Sequence, residues 1–189
     1  TVLLKNNNLL PLSKDIKSIA VVGPNADNIY NQLGDYTAPQ DRHNVVTILD
    51  GIRNAASKGT KVVYAKGCAI RDTTQSDIPA AVAAAMQSDV VIAVVGGSSA
   101  RDFKTDYIDT GAAVVTDKDD KIISDMESGE GYDRNTLTLM GDQDKLLKAL
   151  FATGKPVIVV YIQGRPLDMN LASEKADALL NAWYPGQEG

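Results

Sequence analysis

The sequence predicts an α/β protein, a flavodoxin-like three-layer α/β/α sandwich with a mainly parallel sheet. Three observations predict it. Short apolar runs rich in Val and Ile recur without polar alternation, the pattern of strands covered on both faces. Stretches with helical periodicity separate them, and alternating strands and helices build parallel sheets through right-handed crossovers. At 189 residues and 44% hydrophobic, the chain can bury well over half of its unfolded surface in one core.

The elements follow in order. Ser18–Val22 (SIAVV) is the first buried strand and stops at Gly23-Pro24. Gly23-Pro24-Asn25-Ala26 is a turn into a helix over 26–33; it lacks the GxGxxG and GxxxxGK[ST] patterns that cradle phosphates. Thr47–Ser57 places Ile48, Ile52 and Ala55/Ala56 on one face, a short helix stopped by Gly59. Lys61–Ala65 (KVVYA) is the second strand. Asp77 caps a helix over Ile78–Gln87, with Pro79 tolerated in its first turn. Asp89–Val95 is the third strand. Asp142 caps a helix whose Leu146, Leu147, Leu150 and Phe151 recur at helical spacing. Pro156–Ile162 is the fourth strand and Ala178–Trp183 the fifth.

Composition excludes several functions. The chain carries 19 Lys and Arg against 24 Asp and Glu, a net charge of −5. With no basic face to neutralise phosphates, it is not expected to bind nucleic acid. No apolar run approaches the roughly 18 residues of a membrane span, so no membrane partner is expected. Cys68 and His43 are the single cysteine and histidine, which leaves no intrachain disulfide and no four-ligand Cys/His zinc site. Neither a cofactor nor a metal is expected.

One stretch breaks the rhythm. Residues 96–141 show no strand pattern, far beyond the usual connection of about 4–6 residues. Between Arg101 and Asp133 this segment holds ten Asp and Glu but only four Lys and Arg. It leaves the carboxyl end of the third strand, where open parallel sheets keep their ligand crevices. Phe103, Tyr107 and Tyr132 are aromatics that could pack it down. The chemistry is expected here.

Within it, Gly96-Gly97-Ser98-Ser99-Ala100 superficially matches a nucleophile elbow. It has no following helix pattern and no later histidine, so it reads as a small-residue turn. Asp117–Asp125 lacks the ligand alternation of a calcium loop and reads as a solvated acidic face. Glu127-Ser128-Gly129-Glu130-Gly131-Tyr132-Asp133-Arg134 is different. Two glycines flank Glu130, so the backbone there can turn sharply and approach a ligand. A carboxyl so placed can act as a general acid/base if its surroundings keep it protonated. Glu127 lacks that freedom and reads as a brace for the loop. Asp133 and Arg134 offer a charged fork for hydroxyl groups, or a structural ion pair.

At these residues the chain resembles the C-terminal α/β sandwich domain of family 3 glycoside hydrolases, of β-glucosidase and β-xylosidase type. Six pieces carry the resemblance in the family's order: VLLKN with LLPL near the start, IAVVGPN, TILDGI, YAKGC, SGEGYDR, and the late pair Lys155–Pro166 and AWYPGQEG. Met140 stands where the family often has Pro.

The resemblance implies a retaining β-glycosidase working on terminal β-linked sugars. A nucleophilic aspartate would come from an N-terminal (β/α)8 barrel of the same polypeptide, and the acid/base from this domain. The matching acid/base is Glu130, whose presence argues against the N-acetylglucosaminidase branch. Asp133 and Arg134 would bind substrate or fix the loop. Tyr36, in the segment Gly34–His43, would border the aglycone subsite. Residues 1–17 would lead in from the barrel. Residues 18–189 would form the sandwich, truncated at its C-terminal end, with the active-site loop over 96–141. A fragment with one of two carboxyls would be inactive alone. β-Glucosidase is the first reading and β-xylosidase the alternative. From other classes stand a non-catalytic carbohydrate-binding or scaffold domain and a nucleotide-binding flavodoxin-like protein. The family suggests a periplasmic or secreted enzyme.

Overall fold

All five expected strands form, and a sixth joins them. The structure, a computed structural model, describes residues 1–100, 124–129 and 133–188. Its strands are β1 (Val2–Asn6), β2 (Ser18–Val22), β3 (Lys61–Ala65), β4 (Val90–Gly96), β5 (Val157–Ile162) and β6 (Ala178–Trp183). They make one sheet in the order β1-β6-β5-β4-β2-β3. β2 to β6 are mutually parallel and β1 runs antiparallel along β6. Numbered among themselves, the parallel strands lie in the order 2-1-3-4-5 of flavodoxin-like sheets.

The apolar runs are uninterrupted because both faces are covered. On one face Ala20, Val22, Val91, Ala93, Val95 and Val159 pack against helices α3 (Ile78–Met86), α4 (Gln143–Phe151) and α5 (Asn170–Lys175). On the other, Ile19, Val21, Val90, Ile92, Val94 and Ile158 meet Leu49 of α2 (Ile48–Ala55). Leu9, Leu10, Leu12 and Ile16 close that second face. Strand residues alternate between the two clusters, as the two-residue period requires.

Several local expectations are corrected. In the helix expected over 26–33 only α1 (Ile29–Leu33) is helical, because Asn28 is extended and its side chain caps the N–H groups of Tyr30 and Asn31. The helix expected to run to Ser57 ends at Ala55, before Gly59, since Ala56 is extended. Asp77 caps α3 as expected, accepting from the Ala80 N–H. Asp142 does not cap α4. Its side chain is engaged elsewhere. Its carboxylate accepts from Ser76 Oγ at 2.7 Å and pairs with Lys145 at 2.7 Å. β1 and α5 go beyond the sequence reading. β1 has no polar alternation, and Val2, Leu3 and Leu4 are exposed. Lys5 Nζ ties this strand to the end of α5 through the Ser173 and Glu174 carbonyls, at 2.9 and 3.2 Å.

Candidate active site at the carboxyl edge of the sheet

The carboxyl end of β4 is fixed from three sides. Gln143, at the start of α4 and fully buried, grips Gly96 twice: Oε1 accepts from its N–H and Nε2 donates to its carbonyl, both at 2.9 Å. Asn25 Nδ2 donates to the Gly97 carbonyl at 3.2 Å, Asn31 Nδ2 to Asn25 Oδ1 at 2.8 Å, and Ser98 Oγ to Asn31 Oδ1 at 2.7 Å. The Ser98 hydroxyl also accepts from the Ala100 N–H. It is therefore a buried structural group, in keeping with a small-residue turn.

The segment 124–129 returns to this edge. The Glu127 N–H donates to the Ser98 carbonyl at 3.0 Å. Arg71 Nη1 donates to the Met126 carbonyl at 2.8 Å and to that of Ser124 at 3.3 Å, while Asp125 Oδ1 accepts from the Ile70 N–H at 3.1 Å. Gly129 has φ of 139°, a conformation reserved for glycine. A Cβ there would lie 3.2 Å from Asp35 Oδ2, so the loop after α1 packs on this turn.

The structure separates the expected fork of Asp133 and Arg134. The Arg134 side chain is 5% exposed and forms an ion pair through Nη1 with Oε2 of Glu127, itself 2% exposed. Its Nη2 donates to the Thr138 carbonyl and its Nε to that of Thr136 at 2.8 Å. Asp133, 84% exposed, instead pairs with Arg165 from the loop after β5 at 2.8 Å. That hydrogen bond, with one from the Arg134 N–H, holds the Asp133 carboxyl below the usual range. Burying the Glu127 carboxylate needs room, and Gly97 supplies it: a Cβ at 97 would come within 2.1 Å of Oε1.

Tyr36 stands at the outer rim, 73% exposed with φ of 57°, its N–H bonded to Asp35 Oδ1 at 2.8 Å. The packing of Asp35 on Gly129 brings its loop beside the described end of that segment. Glu130, Gly131 and Tyr132 lie outside the described residues, as do Phe103, Tyr107 and most of the acidic stretch 117–125. Sequence reasoning missed Gly97, Arg71, Gln143 and Arg165. Gly97 sits in a visible Gly-Gly-Ser-Ser turn, but nothing in the sequence pairs it with Glu127. The other three carry no local signal.

Comparison with known proteins agrees with this architecture. Residues 1–189 match the glycosyl hydrolase family 3 C-terminal domain. A β-xylosidase of Formosa agariphila is 39% identical over 98% of this chain and 23% of its own length. A periplasmic β-glucosidase of Salmonella typhimurium is 35% identical over 100% of the chain and 24% of its own. Among solved structures, a family 3 exo-β-xylosidase in complex with a xylobiose aziridine probe superposes with a TM-score of 0.75 at 32% identity, covering 98% of this chain and 20% of that one. The Listeria innocua β-glucosidase in complex with glucose gives 0.73 at 29% identity, covering 99% and 22%. The chain thus spans about a quarter of the length of the curated relatives it matches. With the sheet order and the full-length match in agreement, the chain belongs to glycosyl hydrolase family 3, as its C-terminal α/β domain.

Proposed function

We propose that this domain donates the acid/base of a retaining β-glycosidase and that Glu130 is that group. The observation that carries the reading is the state of the other glutamate of the turn. The Glu127 carboxyl is 2% exposed and paired with Arg134, so it cannot protonate a glycosidic oxygen. The role falls to Glu130, which the sequence sets between Gly129 and Gly131. A retaining site places its two carboxyls about 5–5.5 Å apart across the sugar. The nucleophile is then an aspartate of a (β/α)8 barrel elsewhere in the polypeptide. Glu130 protonates the leaving oxygen, then takes a proton from the water that hydrolyses the glycosyl-enzyme. The buried hydrogen bonds of Arg134 support loop fixing over sugar binding for that residue. Tyr36, exposed beside the turn, borders the aglycone.

The substrate is a terminal β-linked glucose or xylose. The sequence placed glucose first; 39% identity to the β-xylosidase against 35% to the β-glucosidase favours xylose. The periplasmic relative supports a periplasmic or secreted enzyme. Among the described residues no helix is long and apolar enough to cross a membrane.

Kinetics of Glu130→Ala in the full-length enzyme test the assignment. Glycosylation by a poor leaving group is expected to slow by about 10²–10⁴-fold. A dinitrophenyl glycoside, whose leaving group needs little protonation, is expected to suffer much less in that step. Azide, which needs no base, restores its turnover. Wild-type rates with the poor leaving group and no response to azide would overturn the assignment.

A further inference from the structure

We propose that Trp183 is an aromatic platform for the aglycone chain of a β-linked oligosaccharide, with the apolar face of one sugar ring lying on its indole. The inference rests on the reading of this domain as part of a β-glycosidase whose substrate meets the carboxyl edge of the sheet. To that reading it adds a residue that selects for substrate length.

The backbone turns this side chain out of the fold. Trp183, the single tryptophan of the chain, has φ of 60°. A bulky residue is an outlier there, and such conformations persist only where the surroundings hold them, often at ligand clamps. Three features hold this one. The Trp183 carbonyl accepts from the Gln163 N–H at 3.2 Å, and its N–H donates to Asn181 Oδ1 at 3.4 Å. The register of β5 on β6 also slips: Tyr161 faces Asn181 but Ile162 faces Trp183, so Ala182 is passed over. An extra residue of this kind bends a strand and re-aims its side chains. Ala182 and Tyr184 on either side pack into the second-face cluster, whereas Trp183 is 51% exposed and, among the described residues, belongs to neither cluster. Glycine would hold the same backbone without steric cost, so the strain is attributable to the indole.

Its position suits a sugar chain. Gly96, Ile162 and Trp183 form one row across the carboxyl ends of β4, β5 and β6. Two strand spacings put Trp183 about 10 Å from the end of β4, on the edge where parallel sheets keep their ligand crevices. The ring of Tyr184, next in the chain, lies over two glycines. A Cβ would come within 3.0 Å of its Cδ2 at Gly34 and within 2.3 Å of its Cε2 at Gly164. Tyr184 thereby ties the end of β6 to the loop after α1, which carries Tyr36. Trp183 and Tyr36 are two exposed aromatics at positive φ, joined through that half-buried ring. A pyranose presents C–H groups on its face and hydroxyls on its rim, so an exposed indole can take the face and leave the rim to water.

The test uses the full-length enzyme with two substrates: a β-linked trisaccharide of xylose or glucose, and the matching β-glycosyl fluoride, which has no aglycone ring. Trp183→Gly removes the indole and relieves the backbone. Its KM for the trisaccharide is expected to rise about 10-fold with kcat unchanged, the pattern of lost uniform binding. Both constants for the fluoride stay at their wild-type values, and Tm does not fall. Trp183→Phe keeps an aromatic face and restores most of the KM. An unchanged trisaccharide KM, or an equal loss on both substrates, overturns the inference. An equal loss with a lowered Tm would assign the indole to packing against another part of the polypeptide. Trp183→Asn, whose side chain tolerates positive φ, is a second variant without the indole and is read by the same outcomes. Failure of both to fold also overturns the inference. The acid/base assignment fails separately: Glu130→Ala reads out in the glycosylation rate and in azide rescue, whereas the Trp183 variants read out in KM for the aglycone chain.

Discussion

A methyl group on Gly97 would sit 2.1 Å from Glu127 Oε1, well inside van der Waals contact. The carboxylate cannot step into solvent to avoid it, because it is buried and held by Arg134. Gly97→Ala is therefore expected to destabilise the domain by about 1–3 kcal/mol, as overpacking does. It should also lower turnover of the full-length enzyme, although residue 97 carries no functional group. Thermal unfolding together with kcat checks both; a wild-type melting temperature would show that Glu127 relaxes freely. Cys68 makes a second prediction at this scale. Burial, with the nearby Asp142 charge adding to it, pushes its thiol up to about 12. A thiol reagent at pH 8 should then leave the native domain unmodified and label it on unfolding. The unfolded thiol loses its proton near pH 8.5 and the folded one does not. The unfolded state thus binds fewer protons over that interval, and stability should fall as the pH rises from about 9 towards 12.

Helix α2 shows how one terminus is held by chemistry that the sequence displays. Thr47 and Asp50 form a reciprocal capping box, and Arg42 pairs with both Asp27 and Asp50 at 2.7 Å. Burial alone would raise the Asp50 carboxyl, but hydrogen bonds from Arg42 and Thr47 outweigh it and hold it below its ordinary value. A depressed carboxyl stabilises the fold above its unfolded value near 3.9, and that contribution is lost as the pH falls through the lower folded value. Asp50→Asn is expected to cost about 1 kcal/mol at pH 7. The difference from wild type should vanish in acid, once the carboxyl is protonated in the folded state as well. Parallel urea titrations at the two pH values would show it, and an equal loss at both would mean that the charge is irrelevant. The start of α4 works differently: Gln143 spends its side chain on Gly96 of β4, and Asp142 on Ser76 and Lys145. That helix is fixed by tertiary contacts and by Leu146, Leu147 and Leu150, all fully buried.

For the molecule as a whole, one of the two carboxyls of a retaining site is expected in this domain. The isolated chain should then fold and yet show no turnover of p-nitrophenyl β-glucoside or β-xyloside. A cooperative thermal transition with no activity in the same sample is the expected result. Measurable hydrolysis by rigorously purified chain would overturn the two-domain reading.

The architecture was legible in the sequence because its signals are local. Doubly covered strands such as Val90–Gly96 read as apolar runs, and the strand–helix rhythm implies parallel order before any contact is known. The segment 127–134 drew attention in the sequence for a similar reason, since glycines around a carboxyl are a short-range pattern. β1 was not, because an exposed edge strand has neither alternation nor a continuous buried run and takes its conformation from β6. The partner of Arg134 was decided only by tertiary structure. The adjacent Asp133 faces out to Arg165, while Glu127 meets Arg134 from a notch left by Gly97, thirty residues upstream of that glutamate. Periodicity and composition report which residues seek burial. Which buried charge meets which depends on where β4 ends and which side chains leave it room, and that is a property of the folded chain.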